Sequence, residues 1–320
     1  MTNPHLVLGK DYVKPKSTAV IPLADQTLAG VSPGRKPCIL KKQDGNEDAL
    51  AHVVLPGGAR FLLIADGHFG SLSSEMAVTR FGQVLGDEGL PMAERMLIAH
   101  YALDQIIREA ATGTGPASAT TFISVYLDER ELVWCSTGDS YLWLMDRGNH
   151  RQANTTQDLF LGDGSMQVFF RMLQKWGLTD VLTEPDDLIR IICLLVRINC
   201  EVAGGTPSRE TISELLAKVT SISGNSPDFG VDDIIEPWHP LHLNMARLTP
   251  HVGRANRRSG ERLMLVTDGI DEATSGLSRE QVIALACEDK PLEKVAKTLL
   301  DKTLGRAGGG DNLTFLLARL

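Results

Sequence analysis

The chain has 320 residues, 43% of them apolar, 5% aromatic and 22% charged, with a formal net charge of −8. That length can bury a large core in one large domain or two ordinary ones. The negative balance argues against nucleic acid as the main partner, because phosphate backbones need dense Lys and Arg.

In chain order, residues 1–36 hold Pro4, Pro15, Pro22 and Pro33 and read as an irregular tail. Residues 48–55 (DALAHVVL) predict a strand that turns at Pro56-Gly57-Gly58. A second strand follows over 60–65 (RFLLIA), apolar on both faces and therefore central. Residues 73–84 predict a helix. The next, over 91–110, is amphipathic, with Met96, Ala99, Leu103, Ile106, Ile107 and Ala110 on one face. Three β runs come next, over 120–127, 131–136 and 141–145. Asp128-Glu129-Arg130 joins the first two as a hairpin, and Thr137-Gly138-Asp139 joins the second to the third.

Residues 150–258 are expected to form a mostly helical flap or insertion, with helices over 169–176, 185–203 and 208–219. A strand is expected over 261–267. Ser278 is placed to cap a helix, with Gln281 as its capping-box partner. A last helix over 291–304 stops at Gly308-Gly309-Gly310, and a final strand covers 313–320. Strands in groups, then paired helices, then strands again predict an α+β fold with antiparallel sheets.

The five cysteines include no C-x-x-C pair, so neither a disulfide framework nor a zinc knuckle is expected. Residues 1–27 carry Lys10, Asp11, Lys14, Lys16 and Asp25 and lack the apolar core of a secretory signal. The most apolar stretch, 188–198, is cut by Arg190 and Arg197 and falls short of the about 20 residues that span a bilayer. A cytoplasmic location with no membrane partner is the expectation.

Three aspartates stand beside glycine or asparagine at the ends of apolar strands. Asp66-Gly67 follows FLLIA, Asp268-Gly269 follows LMLVT, and Asp311-Asn312 precedes LTFLL. A carboxylate at a buried strand end is costly unless a cation or a proton compensates it. Hard oxygen donors suit Mg²⁺ and Mn²⁺. Asp-Gly alone is a common turn signal and also occurs at Asp44 and Asp163, so the argument rests on order and context.

Six blocks in sequence carry a resemblance. They are Asn46-Glu47-Asp48-Ala49, Ala65-Asp66-Gly67-His68-Phe69-Gly70, Ser118-Ala119-Thr120-Thr121, Thr137-Gly138-Asp139-Ser140, Val266-Thr267-Asp268-Gly269-Ile270 and Gly309-Gly310-Asp311-Asn312-Leu313-Thr314. In this order, over roughly 45–160 and 260–320, the chain resembles the PPM (PP2C-like) family of metal-dependent Ser/Thr protein phosphatases. The resemblance implies a β-sandwich of two antiparallel sheets flanked by helices, with a phosphatase domain over 37–320. It also implies two Mg²⁺ or Mn²⁺ ions. Asp66 would bridge them, and the Gly67 carbonyl would add a ligand. Asp268 and Asp311 would complete the first ion, and Glu47 or Asp48 would hold the second. Asp139 would help form a third, weaker position, and His68 would act as general acid.

Departures from the family pattern are local. Gln43 stands where an Arg usually grips the substrate phosphate, which leaves Lys41 and Lys42 as the expected charges. Ala119, Tyr141 and Phe69 replace the usual Gly, Arg and Gly. The implied partner is a phosphoprotein made by a Ser/Thr kinase, met by a monomer. The alternative is a metal-binding pseudophosphatase scaffold that recruits phosphoproteins without efficient turnover. A weaker option is a structural α+β domain whose Asp-Gly pairs are only turns. Retention of Asp66, Asp268 and Asp311 favours the enzyme.

Overall fold

The computed structural model describes residues 4–13, 18–34, 45–68, 70–86, 88–111, 119–146, 149–156, 250–270, 275–305 and 311–320. Lys41, Lys42 and the expected helices over 169–176, 185–203 and 208–219 lie outside the described residues. The first elements are β1 (His5–Leu8), β2 (Ala19–Ala24), β3 (Thr27–Ser32), β4 (Ala49–Val54), β5 (Arg60–Ala65), β6 (Gly67–His68), α1 (Leu72–Arg80) and α2 (Met92–Ala111). Then come β7 (Ala119–Thr120), β8 (Phe122–Leu127), β9 (Glu131–Thr137), β10 (Tyr141–Asp146), β11 (Asn149–Gln152) and β12 (His251–Asn256). The last are β13 (Arg262–Val266), α3 (Arg279–Ala286), α4 (Leu292–Gly305) and β14 (Leu313–Arg319).

Two antiparallel sheets face each other, in the orders β1-β4-β5-β8-β9-β12 and β11-β10-β13-β14-β3-β2. Period-2 alternation explains the layers. In β5, Leu62 and Ile64 enter the core between the sheets, whereas Phe61, Leu63 and Ala65 pack under α1 and α2. In β13, Leu263 and Leu265 point inward, and Met264 and Val266 meet α3 and α4. Both faces of each central strand are covered, which is why these runs are apolar throughout. The layers are helix, sheet, sheet, helix, as expected for an α+β sandwich. The capping box forms at α3: Ser278 Oγ accepts from Gln281 N–H at 3.3 Å, and Gln281 Oε1 accepts from Ser278 N–H at 3.0 Å.

The N-terminal segment differs from the irregular tail expected over 1–36. β1 pairs with β4, and β2 and β3 form a hairpin that continues the second sheet beside β14. Pro22 reads as a strand breaker, but it sits in the edge strand β2, where a missing N–H is tolerated, next to a register shift between Pro22 and Ala24. A smaller difference concerns the run at 120–127. It breaks at Thr121, so that β7 pairs with β6 (Gly67↔Thr120) while β8 joins the first sheet. At the margins of the expected helical segment 150–258 lie two strands, β11 and β12, each an edge of its sheet.

Candidate metal centre

Antiparallel pairing brings the acidic positions to one end of the sandwich. In the first sheet Ala49 lies opposite Ala65, so Asp48 entering β4 and Asp66 leaving β5 share an end. In the second, Val266 lies opposite Phe315, so Asp268 after β13 neighbours Asp311 before β14. Hydrogen bonds tie the two ends across the sandwich. Thr267 Oγ1 donates to Asp48 Oδ2 at 3.2 Å, and Glu47 N–H donates to Asn312 Oδ1 at 3.0 Å.

Glu47, Asp48 and Asp66 are only 2%, 1% and 3% exposed, so their charges are poorly hydrated. Burial first, then the Asp268 and Asp48 carboxylates, push Asp66 well above the ordinary carboxylate range; a side-chain hydrogen bond to Asp268 and the charge of Asp311 add to the shift. Asp66 and Asp268 therefore stand close enough to share a proton. Among the described residues no three His, Cys, Asp or Glu side chains are drawn together closely enough to hold a metal ion, so these carboxylates would have to close in on one.

The donor set fits divalent Mg or Mn in two respects. It consists of hard carboxylate oxygens whose mutual repulsion a cation would relieve. It is also lined by glycine where backbone crowds in. A Cβ on Gly67 would overlap the Glu47 carbonyl, and one on Gly269 would overlap the Asn312 carbonyl. Asp66 is held at both ends of its peptide. Its N–H donates to Thr121 Oγ1 at 3.2 Å, while its carbonyl accepts from Thr121 N–H at 2.9 Å and Thr120 Oγ1 at 2.7 Å.

The remaining site residues take separate places. Glu47 Oε1 accepts from Gly70 N–H at 2.9 Å, and the Glu47 carbonyl accepts from the Ser74 hydroxyl, so Glu47 braces the turn after His68. His68 lies in β6 with Ala119 as its Cα partner. Asp139 sits in the β9–β10 connection. Its neighbour Ser140 meets Thr121 Oγ1 at 2.8 Å, one hydrogen bond from the Asp66 peptide. Thr121, Thr267 and Asn312 carry the geometry of the cluster. Sequence reasoning quoted them inside motifs but gave them no role, because a hydroxyl or amide leaves no periodic signal.

No family model matches the chain. The protein phosphatase PhpP of Streptococcus pneumoniae is 23% identical over 293 residues, covering 88% of this chain and 94% of PhpP. The Streptococcus agalactiae serine/threonine phosphatase superposes with a TM-score of 0.55 at 17% identity, covering 95% of this chain and 99% of that one. The catalytic domain of the serine/threonine protein phosphatase PstP, solved with two manganese ions, gives a TM-score of 0.50 at 18% identity, covering 92% and 96%. The fold is that of the PPM-type phosphatases. In this sandwich the acidic positions lie at one end, and no helix among the described residues is long and apolar enough to cross a membrane.

Proposed function

We propose that the chain hydrolyses phosphoserine and phosphothreonine on proteins, using two divalent cations held by the acidic cluster. The observation that carries this reading is that the carboxylates of Asp268, Asp48 and Asp311, from strand ends of both sheets, all act on the buried Asp66. Such crowding destabilises a fold unless a ligand uses it. PstP, of the same fold, was solved with two manganese ions, and PhpP is named a protein phosphatase.

In this reading Asp66 would serve both cations, and Gly67 could offer its carbonyl without a side chain in the way. Asp268 and Asp311 would hold one cation. Glu47 or Asp48 would hold the second, each having one carboxylate oxygen already taken, by Gly70 N–H and by the Thr267 hydroxyl. Asp139 belongs to a further, weaker position. When bound, two such cations supply Lewis acidity and make a water nucleophilic at neutral pH. The residues around them position the phosphoryl group for in-line displacement, which needs alignment and charge neutralisation more than covalent help. Lys41 and Lys42 are assigned to the phosphate oxygens. His68 is assigned to give its proton to the Ser or Thr oxygen as the P–O bond breaks. The substrate is a phosphoprotein made by a Ser/Thr kinase, met in the cytoplasm by a monomer. The cysteine pattern, with no C-x-x-C pair, supports a reducing compartment.

The test is hydrolysis of p-nitrophenyl phosphate and of a phosphothreonine peptide by the full chain. Turnover is expected with Mn²⁺ or Mg²⁺, is expected to vanish in EDTA, and should fall by orders of magnitude in Asp66→Asn. Absence of metal-dependent turnover on both substrates would sink the reading.

A further inference from the structure

Asn312 enters β14 directly after Asp311 and is 2% exposed. Its Oδ1 accepts from Glu47 N–H at 3.0 Å, and its Nδ2 donates to the carbonyls of Pro33 at 2.9 Å and Gly45 at 3.1 Å. Its own N–H donates to Asp311 Oδ1 at 2.7 Å, and its carbonyl fills the space that a Cβ on Gly269 would need. One residue thus touches the exit of β3, the approach to β4, the turn after β13 and the carboxylate of Asp311. An amide is the side chain that offers an acceptor and two donors at one terminus. Aspartate keeps only the acceptor, and alanine keeps neither.

We infer that Asn312 is a positioning residue for the metal centre. Its side-chain oxygen sets the distance between Glu47-Asp48 of the first sheet and Asp311 of the second. Its amide nitrogen fixes the backbone that leads into that acidic pair. Among the described residues Thr267 to Asp48 and Thr121 to Ser140 also tie sheet to sheet at this end, but neither of these bonds takes up Glu47 N–H. With the Asn312 tie cut, the two halves of the ligand set keep their own strands but lose their mutual register. The inference rests on the reading of the acidic cluster as a metal centre.

The test uses the full chain and Mn²⁺ alone, by isothermal titration without substrate, with the melting temperature recorded in EDTA. Asn312→Ala is expected to weaken Mn²⁺ binding by about 10–100-fold, the usual effect of removing a partner that orients a ligand. Asn312→Asp keeps the acceptor for Glu47 N–H but sets an oxygen against the Pro33 and Gly45 carbonyls, so its Mn²⁺ affinity should fall less than that of Asn312→Ala even where its melting temperature drops further. Equal loss of affinity in both variants would overturn the inference. So would an Asn312→Ala protein that melts earlier yet binds Mn²⁺ as the wild type does, since the residue would then be merely structural. Should Asn312→Ala fail to fold, Asn312→Ser, too short to reach Glu47 N–H, takes its place with the same expectation. A wild-type chain that binds no Mn²⁺ would refute the metal reading itself, and the positioning role with it.

Discussion

Asp268→Asn should make the metal-free protein more stable and the metal-loaded protein less so. The Asp268 carboxylate is the largest charge acting on Asp66, and the two also share a hydrogen bond. Two like charges about 4 Å apart repel by about 4 kcal/mol at an effective dielectric near 20, which is an upper bound here because a shared proton removes part of it. An amide at 268 keeps the hydrogen bond and drops the charge. A gain of about 1–3 kcal/mol in EDTA follows, or roughly 2–8 °C in melting temperature for a domain of this size. Metal works in the other direction. Saturation at 100 times Kd adds about 2.7 kcal/mol to a protein that binds only when folded. The wild type should gain that increment with Mn²⁺, whereas Asp268→Asn should gain little. Differential scanning fluorimetry in EDTA and in Mn²⁺ would show the two melting curves exchanging order. Equal destabilisation of the variant in both conditions would refute the reasoning, because the carboxylates would then be structural partners and not a desolvated cluster awaiting a cation.

Two further predictions concern histidine burial and a glycine. His100 is held near 3 by burial, and His52 near 4 by burial and then the charges of Arg60 and His5, so both stay neutral in the folded chain. Their contribution to stability is complete above the unfolded value of 6.5 and is lost as pH falls below it, down to about 4 for His52 and about 3 for His100. The slope tends to about 2.7 kcal/mol per pH unit for two protons, and chemical denaturation of His100→Gln in EDTA should show about half of it. Gly269→Ala should destabilise by about 1–3 kcal/mol, because the new Cβ meets the Asn312 carbonyl and backbone must move. Its Mn²⁺ affinity should fall as well, which titration would detect.

Much of the sandwich was legible because its central strands are buried on both faces. Arg60–Ala65 and Leu313–Arg319 read as strands from apolar content alone, and Ser278 with Gln281 marked a helix start by local chemistry. Segments that depend on a partner for their structure were not legible. His5–Leu8 is too short to show a period, and Ala19–Ala24 contains a proline that only its edge position excuses. The acidic residues could be picked out by their places at strand ends. Which of Glu47 and Asp48 faces the cluster could not, since that depends on Gly70 N–H and the Thr267 hydroxyl arriving from distant parts of the chain.

Those cross-chain contacts explain how a sandwich can carry a site that opposes its own folding. The strands bearing Asp48, Asp66, Asp268 and Asp311 belong to two sheets whose shared core of Leu50, Ile64, Leu265 and Leu316 holds their ends together whatever the charges do. Burial of each such side chain contributes about 1.5–3 kcal/mol, so a few of them offset the repulsion among four carboxylates. The core sets the approach of the sheets, but it cannot choose a rotamer or a register at the rim. Neutral polar groups do that. Thr121 fixes the Asp66 peptide, Thr267 takes one oxygen of Asp48, and Asn312 spans from Glu47 to Asp311. None of them adds charge, so each can orient a carboxylate without weakening the negative field that would draw in a divalent cation.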